Sequence, residues 1–290
     1  MTRKRVLAVV AVAVVLCAVV VTLAVTLTGS GAPSAHPVGA AGFWTRHRLM
    51  AASPEHGPIF HQTSASAKAQ QAYREQRGLK VGALFLRQGD TEHFCTASVV
   101  ASAGRDLLVT AAHCINSGKG GSYRKDIVFI PDYQDGQAPF GIWTVRQLLV
   151  APEWADASDP DFDVGFVVLN SLDGKNIEEI LGANRLSLDT SYRYLVHVTG
   201  YPNTDQRPIT CRNYTSKQST SQLRFECGGY TDGTSGSPWV TDFDPQTRTG
   251  TIVGVLGGYQ EGGETPEVSY SAVLSPAIQH LYQQAISAGK

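Results

Sequence analysis

A serine set between glycines can do chemistry only if a neighbour takes its proton. The stretch Tyr230-Thr231-Asp232-Gly233-Thr234-Ser235-Gly236-Ser237-Pro238-Trp239 places Ser235 in such a loop. Its hydroxyl becomes a nucleophile at neutral pH when a base is in reach and donors wait for the oxyanion. Gly233 permits a turn that aims its own N–H and that of Ser235 at one point, and Gly236 leaves room for substrate. Clusters of Gly, Ser, Thr and Pro are as often plain turns, so the loop needs support from elsewhere. A base is on offer at His113, where the apolar strand Leu107 to Val109 runs through Thr110-Ala111-Ala112 into His113-Cys114. Three acids precede the apolar run Val164 to Leu169, in Asp159-Pro160-Asp161-Phe162-Asp163. Asp159 and Asp161 lie in the turn, where acids cap backbone or face water; Asp163 abuts the strand.

Val109-Thr110-Ala111-Ala112-His113-Cys114, with Cys95 upstream in His93-Phe94-Cys95-Thr96-Ala97-Ser98 and Ser235 downstream, resembles the trypsin-like (chymotrypsin-fold) serine peptidases. The resemblance runs from about Val81 to Ile286. It implies His113 as general base, Asp163 as its orienter, Ser235 as nucleophile, and the N–H groups of Gly233 and Ser235 as the oxyanion hole. The chain order His, Asp, Ser is the one found in this fold and differs from that of subtilisins and α/β-hydrolases. It implies peptide or protein substrates and requires neither metal nor cofactor.

Two departures refine the expectation. Trypsins activated by clipping carry an aspartate just before the nucleophile; here Thr234 stands there, so no ion-pair switch of that kind is expected. Gly200-Tyr201-Pro202 and Ser235-Gly236-Ser237-Pro238 are similar to bacterial exported, glutamyl endopeptidase-like members. The histidine those enzymes use near Gly257 is absent, so a glutamate preference is not carried over. By alignment, Ile252 to Tyr259 is the pocket wall, which puts Gly257, Gly258 and Tyr259 at the substrate, while Gly229 and Tyr230 fall at the pocket floor. Gly229 offers no acid to attract Arg or Lys. Glu267 is a candidate for that role, although a Glu beside Pro266 is more often a solvated loop residue. His197 lies in a β-type run and reads as structural. Asn213-Tyr214-Thr215 matches a glycosylation sequon, a short pattern that is frequent by chance.

Positioning these residues calls for a strand-rich scaffold. Short runs at 81–87, 94–102, 107–110, 126–130, 142–150, 164–169, 194–199, 209–216, 223–227, 237–241, 251–256 and 268–274 argue for an all-β barrel or sandwich. The resemblance narrows this to two packed six-stranded antiparallel β-barrels. A C-terminal helix follows over Ser275 to Ile286, where Ser275 can cap and Pro276 fits the first turn.

The N-terminal third lies outside the resemblance. Met1-Thr2-Arg3-Lys4-Arg5 is basic, and Val6 to Leu27 is an uncharged apolar run of 22 residues. That is long enough to span a bilayer as an apolar helix, with the chain after Leu27 outside. Small residues in Gly31 to Ala35 and near Val38 to Ala40 equally suit cleavage of a signal peptide. The expected organisation is residues 1–28 as anchor or signal, 29–78 as an Ala/Gly/Ser/Pro-rich stalk or propeptide, and 79–290 as the peptidase domain. Within 29–78, Ser64 to Gln76 has good helix formers and Gly78 to stop it.

Export and composition agree. Setting aside Cys17 in the apolar run leaves Cys95, Cys114, Cys211 and Cys227, an even number suited to two disulfides in an oxidising compartment. Four cysteines allow three pairings; the resemblance selects Cys95–Cys114 and leaves Cys211–Cys227. No C-x-x-C or H-x-x-x-H spacing suggests zinc. A net charge of −1 with 17% charged residues offers no field for nucleic acid. The chain therefore reads as an extracellular serine endopeptidase, secreted or tethered. The competing reading is a catalytically silent trypsin-like fold acting as an extracellular binding or scaffold module.

Overall fold

A computed structural model describes residues 39–55, 70–75, 80–187 and 189–289. The apolar run Val6 to Leu27 and the cluster Gly31 to Ala35 lie outside them. Among the described residues no helix is long and apolar enough to cross a membrane.

Two short strands come first, β1 (Ser53–Pro54) and β2 (Tyr73–Arg74). Six follow: β3 (Val81–Gln88), β4 (Thr91–Val100), β5 (Leu107–Thr110), β6 (Lys125–Pro131), β7 (Trp143–Val150) and β8 (Gly165–Leu169). They pair in the order β4-β3-β6-β7-β8-β5, and β5 returns to β4, closing a six-stranded antiparallel barrel. The second half contains β9 (Arg185–Leu186), β10 (Leu195–Gly200), β11 (Ile209–Lys217), β12 (Gln222–Glu226), β13 (Pro238–Asp244), β14 (Thr249–Val255) and β15 (Val268–Ala272). Their order is β15-β12-β11-β10-β13-β14-β9, with β2 on β11. No ladder joins β14 to β15 among the described residues. Instead the Val255 N–H donates to the Ser271 hydroxyl at 2.9 Å and the Gly257 N–H to Tyr270 O at 3.0 Å.

Strands β5 and β8 are buried along their whole length because each faces two cores. Side chains alternate across a strand. Leu108, Val167 and Leu169 therefore fill the first barrel. Their neighbours Leu107, Val109, Phe166 and Val168 pack with Val240, Ile252 and Val255 of the second half. The helix Pro276–Ala288 lays Ile278, Leu281 and Ala285 on that same cluster. Ser275 sits at its N-cap position, but its side chain makes no capping hydrogen bond. Both disulfides form, Cys95–Cys114 and Cys211–Cys227.

Parts of the segment before β3 are folded against the domain. Residues 39–55 pack on the first barrel, with Trp44, Leu49 and Ala52 buried against Phe85, Phe94, Val128 and Tyr133. Strand β1 adds in parallel to β4, Ser53 opposite His93 and Pro54 opposite Phe94. The helix expected over Ser64 to Gln76 is corrected where it is described. Tyr73 and Arg74 pair antiparallel with Thr210 and Ile209, because β12 uses β11 only from Thr215 onward and leaves that edge free. Most of the remaining positions in that stretch lie outside the described residues.

Candidate active site

The first strand pair of the buried layer sets His113 beside Asp163. Strand β5 ends at Thr110, and the chain turns through Ala111 into the one-turn helix Ala112–Ile115 that carries His113. The bridge from Cys114 to Cys95 fastens that turn to β4. Asp163 follows the 3-10 turn Pro160–Phe162 and lies two residues before β8, whose Gly165 is paired with Thr110. This register brings the two side chains together. Asp163 Oδ1 accepts the His113 backbone N–H at 2.9 Å, and Oδ2 accepts the imidazole Nδ1–H and the Gly258 N–H, each at 2.8 Å. Asp159 instead caps the turn, accepting the Asp161 N–H, and Asp161 accepts from the Gln222 amide.

Electrostatics follow from that geometry. Burial pushes the Asp163 carboxyl up, but the His113 charge and three hydrogen bonds outweigh it and hold its pKa below the ordinary 3.8. Burial favours the neutral imidazole of His113. The Asp163 charge and hydrogen bond win there too, helped by Glu261 and Glu55, and lift its pKa above 6.5. With Nδ1 donating to Asp163, Nε2 is the free acceptor. It is buried and has no hydrogen-bond partner among the described residues.

The serine loop is pinned to the same strands. Thr96, next to Cys95 on β4, donates its N–H to Ser235 O at 2.8 Å and its hydroxyl to Gly233 O at 3.0 Å. Its carbonyl accepts the Thr110 hydroxyl at 2.7 Å, linking the serine loop to the histidine strand. Thr234 is buried, and its hydroxyl closes on Thr231 O at 2.6 Å. Gly233 has φ +90, which an L side chain rarely adopts. Neither its N–H nor that of Ser235 is engaged with backbone among the described residues. Gly236 does not leave room for substrate, as the sequence suggested. A Cβ there would meet Thr96 O at 2.1 Å and Thr110 Oγ1 at 2.2 Å, at φ +84. Gly236→Ala is accordingly expected to separate the loop from β4 and abolish labelling of Ser235, with a measurable fall in thermal midpoint; full labelling by this variant would refute that tight fit.

The residues expected at the pocket have the following surroundings. Strand β14 ends at Val255, and Tyr259–Gly262 forms a 3-10 turn instead of extending the wall. The Gly258 N–H is given to Asp163 and the Tyr259 N–H to the Gln222 side chain. Gly257 packs on Asp163, where a Cβ would lie 2.9 Å from Oδ2. Tyr230 is buried: its hydroxyl donates to Val198 O at 2.8 Å and its ring stands edge-on to Phe225. Gly229 beside it has φ +105. Glu267 contributes its carbonyl, accepting the Cys227 N–H, and its side chain is half-buried. His197 stacks on Phe243 at 4.3 Å, away from His113. Within the sequon Thr215 is buried, Tyr214 is exposed, and the partly exposed Asn213 donates to Glu226 O.

A cleft of about 340 Å³ opens over His113, lined by Glu55, Gln88, Ser117, Arg124, Trp154, Ser158 and Glu261. Among the described residues, the grouping close enough to hold a metal is Cys95, His113 and Cys114, and both cysteines are spent in their disulfide. Sequence reasoning passed over Thr96, Gln222 and Glu55. Thr96 stood in the C-T-A-S string; the other two carried no local signal.

Comparison with known proteins bears on this arrangement. A family model described as trypsin matches residues 69–273. The crystal structure of the protease Anisep from Arthrobacter nicotinovorans is 24% identical with a TM-score of 0.68, covering 74% of this chain and 99% of that one. A thermostable serine protease, AL20, from an extremophilic microorganism is 25% identical with a TM-score of 0.66, covering 72% and 98%. A Glu endopeptidase shares the fold at 15% identity and a TM-score of 0.60, covering 76% and 98%. No curated protein matches the chain.

Proposed function

Because this chain belongs to the trypsin family of serine peptidases, we propose that it is an exported endopeptidase working through Ser235, His113 and Asp163. The observation that carries the reading is the two-point bond of Asp163 to His113, backbone N–H and Nδ1–H together, beside a serine loop held by Thr96. Asp163 fixes the tautomer that leaves Nε2 free to accept. His113 takes the Ser235 proton as Ser235 attacks a peptide carbonyl, and returns it to the leaving amine. The Gly233 and Ser235 N–H groups receive the oxyanion; one such donor typically contributes about 3–4 kcal/mol to the transition state. Water then releases the acyl group. Two disulfides favour an oxidising compartment, and Val6 to Leu27 supplies the export segment, cleaved or retained as a tether.

The test is fluorophosphonate labelling of the purified full chain, held in mild detergent and read by intact mass, beside Ser235→Ala. One adduct that needs Ser235 is expected. Its rate should fall as the imidazole protonates, with the midpoint above pH 6.5 because Asp163 raises the His113 pKa. A folded chain that takes no label returns the protein to the binding-module reading.

A further inference from the structure

Glu55 reaches the cleft over His113 from the N-terminal segment, outside the part of the chain that resembles trypsin. It is 5% exposed and fixed from three directions. Its N–H donates to Phe94 O at 3.0 Å, one step beyond the pairing of Pro54 with Phe94. One carboxylate oxygen takes the Arg124 guanidinium. The other lies 3.9 Å from His93 Nδ1 and accepts no hydrogen bond among the described residues. The Arg124 N–H in turn donates to Ile115 O at 2.9 Å, on the same helical turn as His113. Residues 53–55, Arg124 and the turn carrying the base thus form one bonded unit.

The charges facing the imidazole are few. Asp163 binds Nδ1; Glu55 and Arg124 stand on one wall with His93 behind Glu55; Glu261 comes from the exposed 3-10 turn. The helix Pro152–Ala157 brings Trp154 to the cleft and no charge. Coulomb interactions fall off only as the inverse of distance, and a buried carboxylate is far less screened by salt than an exposed one such as Glu261.

We propose that Glu55 is a positioning residue for the His113 base: its buried carboxylate, carried into the cleft by residues 39–55, stabilises the imidazolium formed when the Ser235 proton is taken. The N-terminal segment is then part of the working enzyme. This inference rests on the triad reading above. Arg124 offsets part of the Glu55 charge, and the remainder favours the cation, in line with the raised pKa of His113.

The experiment is the fluorophosphonate labelling rate of the full chain against pH, for wild type, Glu55→Gln, Glu55→Asp and Arg124→Gln, with folding checked by near-UV circular dichroism. Glu55→Gln keeps the shape and loses the charge. Its acid-limb midpoint should fall by about half to one pH unit, whereas Glu55→Asp should stay near wild type. Arg124→Gln leaves the carboxylate uncompensated and should move the midpoint upward. A steric bracket moves neither. A folded Glu55→Gln with the wild-type midpoint overturns the proposal. If that variant does not fold, Arg124→Gln decides, an upward shift supporting it and an unchanged midpoint overturning it. Failure of the wild type to label at all would sink the triad reading instead.

Discussion

Asp163→Asn is expected to slow labelling of Ser235 by about 10⁴-fold while leaving the chain folded. The carboxylate accepts one N–H at Oδ1 and two at Oδ2. An amide has one acceptor oxygen and one NH₂. Turned one way, the NH₂ faces the His113 backbone N–H. Turned the other, it faces Nδ1 and Gly258, and the imidazole is driven to the tautomer with its proton on Nε2, where it cannot act as base. The measurement is the labelling rate at a pH where wild type reacts fully. A loss smaller than about tenfold would remove Asp163 from its role. The pair also carries a pH-dependent share of stability. The depressed Asp163 pKa gives a contribution fully present above 3.8 and lost as pH falls through the folded value. The raised His113 pKa gives one fully present below 6.5 and lost as pH rises through its folded value. Both are in place between those limits, and urea midpoints measured across pH should flatten in the Asn variant.

Trp44→Ala is expected to cost about 3–5 kcal/mol, the usual loss for a large aromatic removed from a core. Trp44 is 2% exposed and packs on Phe85 at 5.3 Å and Phe43 at 5.4 Å. Its indole N–H donates to Asp126 O at 2.6 Å, so the change also removes a partner from the strand β6 backbone. Arg48, which lies over Phe43 and pairs with Glu92 at 2.7 Å, adds only a surface increment. For a domain of this size the loss lowers the thermal midpoint on the order of 10 °C. Hydrogen exchange should show residues 45–55, β1 included, released as one unit. A midpoint unchanged within about 2 °C would mean that the segment is not seated on the barrel in solution.

Strands were legible wherever a run was long enough to show its pattern. Strand β5 spans 107–110 as read, and β11 begins at Ile209 as read. The three two-residue strands β1, β2 and β9 were not, because two residues carry no period. They exist only because β4, β11 and β14 leave edges to pair with. The short helix Ile177–Leu181 was not expected from the sequence; Asn176 and Glu179 form its capping box, the Glu179 carboxylate accepting the Asn176 N–H at 2.8 Å. The packing of the N-terminal segment was not legible, because composition averages over it. Its composition is that of a stalk, but one Trp and one Leu in seventeen described residues are enough to anchor it once Phe85 and Phe94 offer a surface.

By itself the sequence determined the family, the proposed triad of His113, Asp163 and Ser235, and the strands that carry them, because each of these is written in neighbouring residues or in an alternation that burial enforces. Which groups hold that machinery in place was decided only by the tertiary structure. Thr96 meets Gly233 across 137 positions, Gly258 meets Asp163 across 95, and Arg124 meets Glu55 across 69. Contacts that distant leave no local period. They depend on barrel closure and on the packing of one half against the other, which fix where a backbone N–H or a lone carboxylate comes to rest.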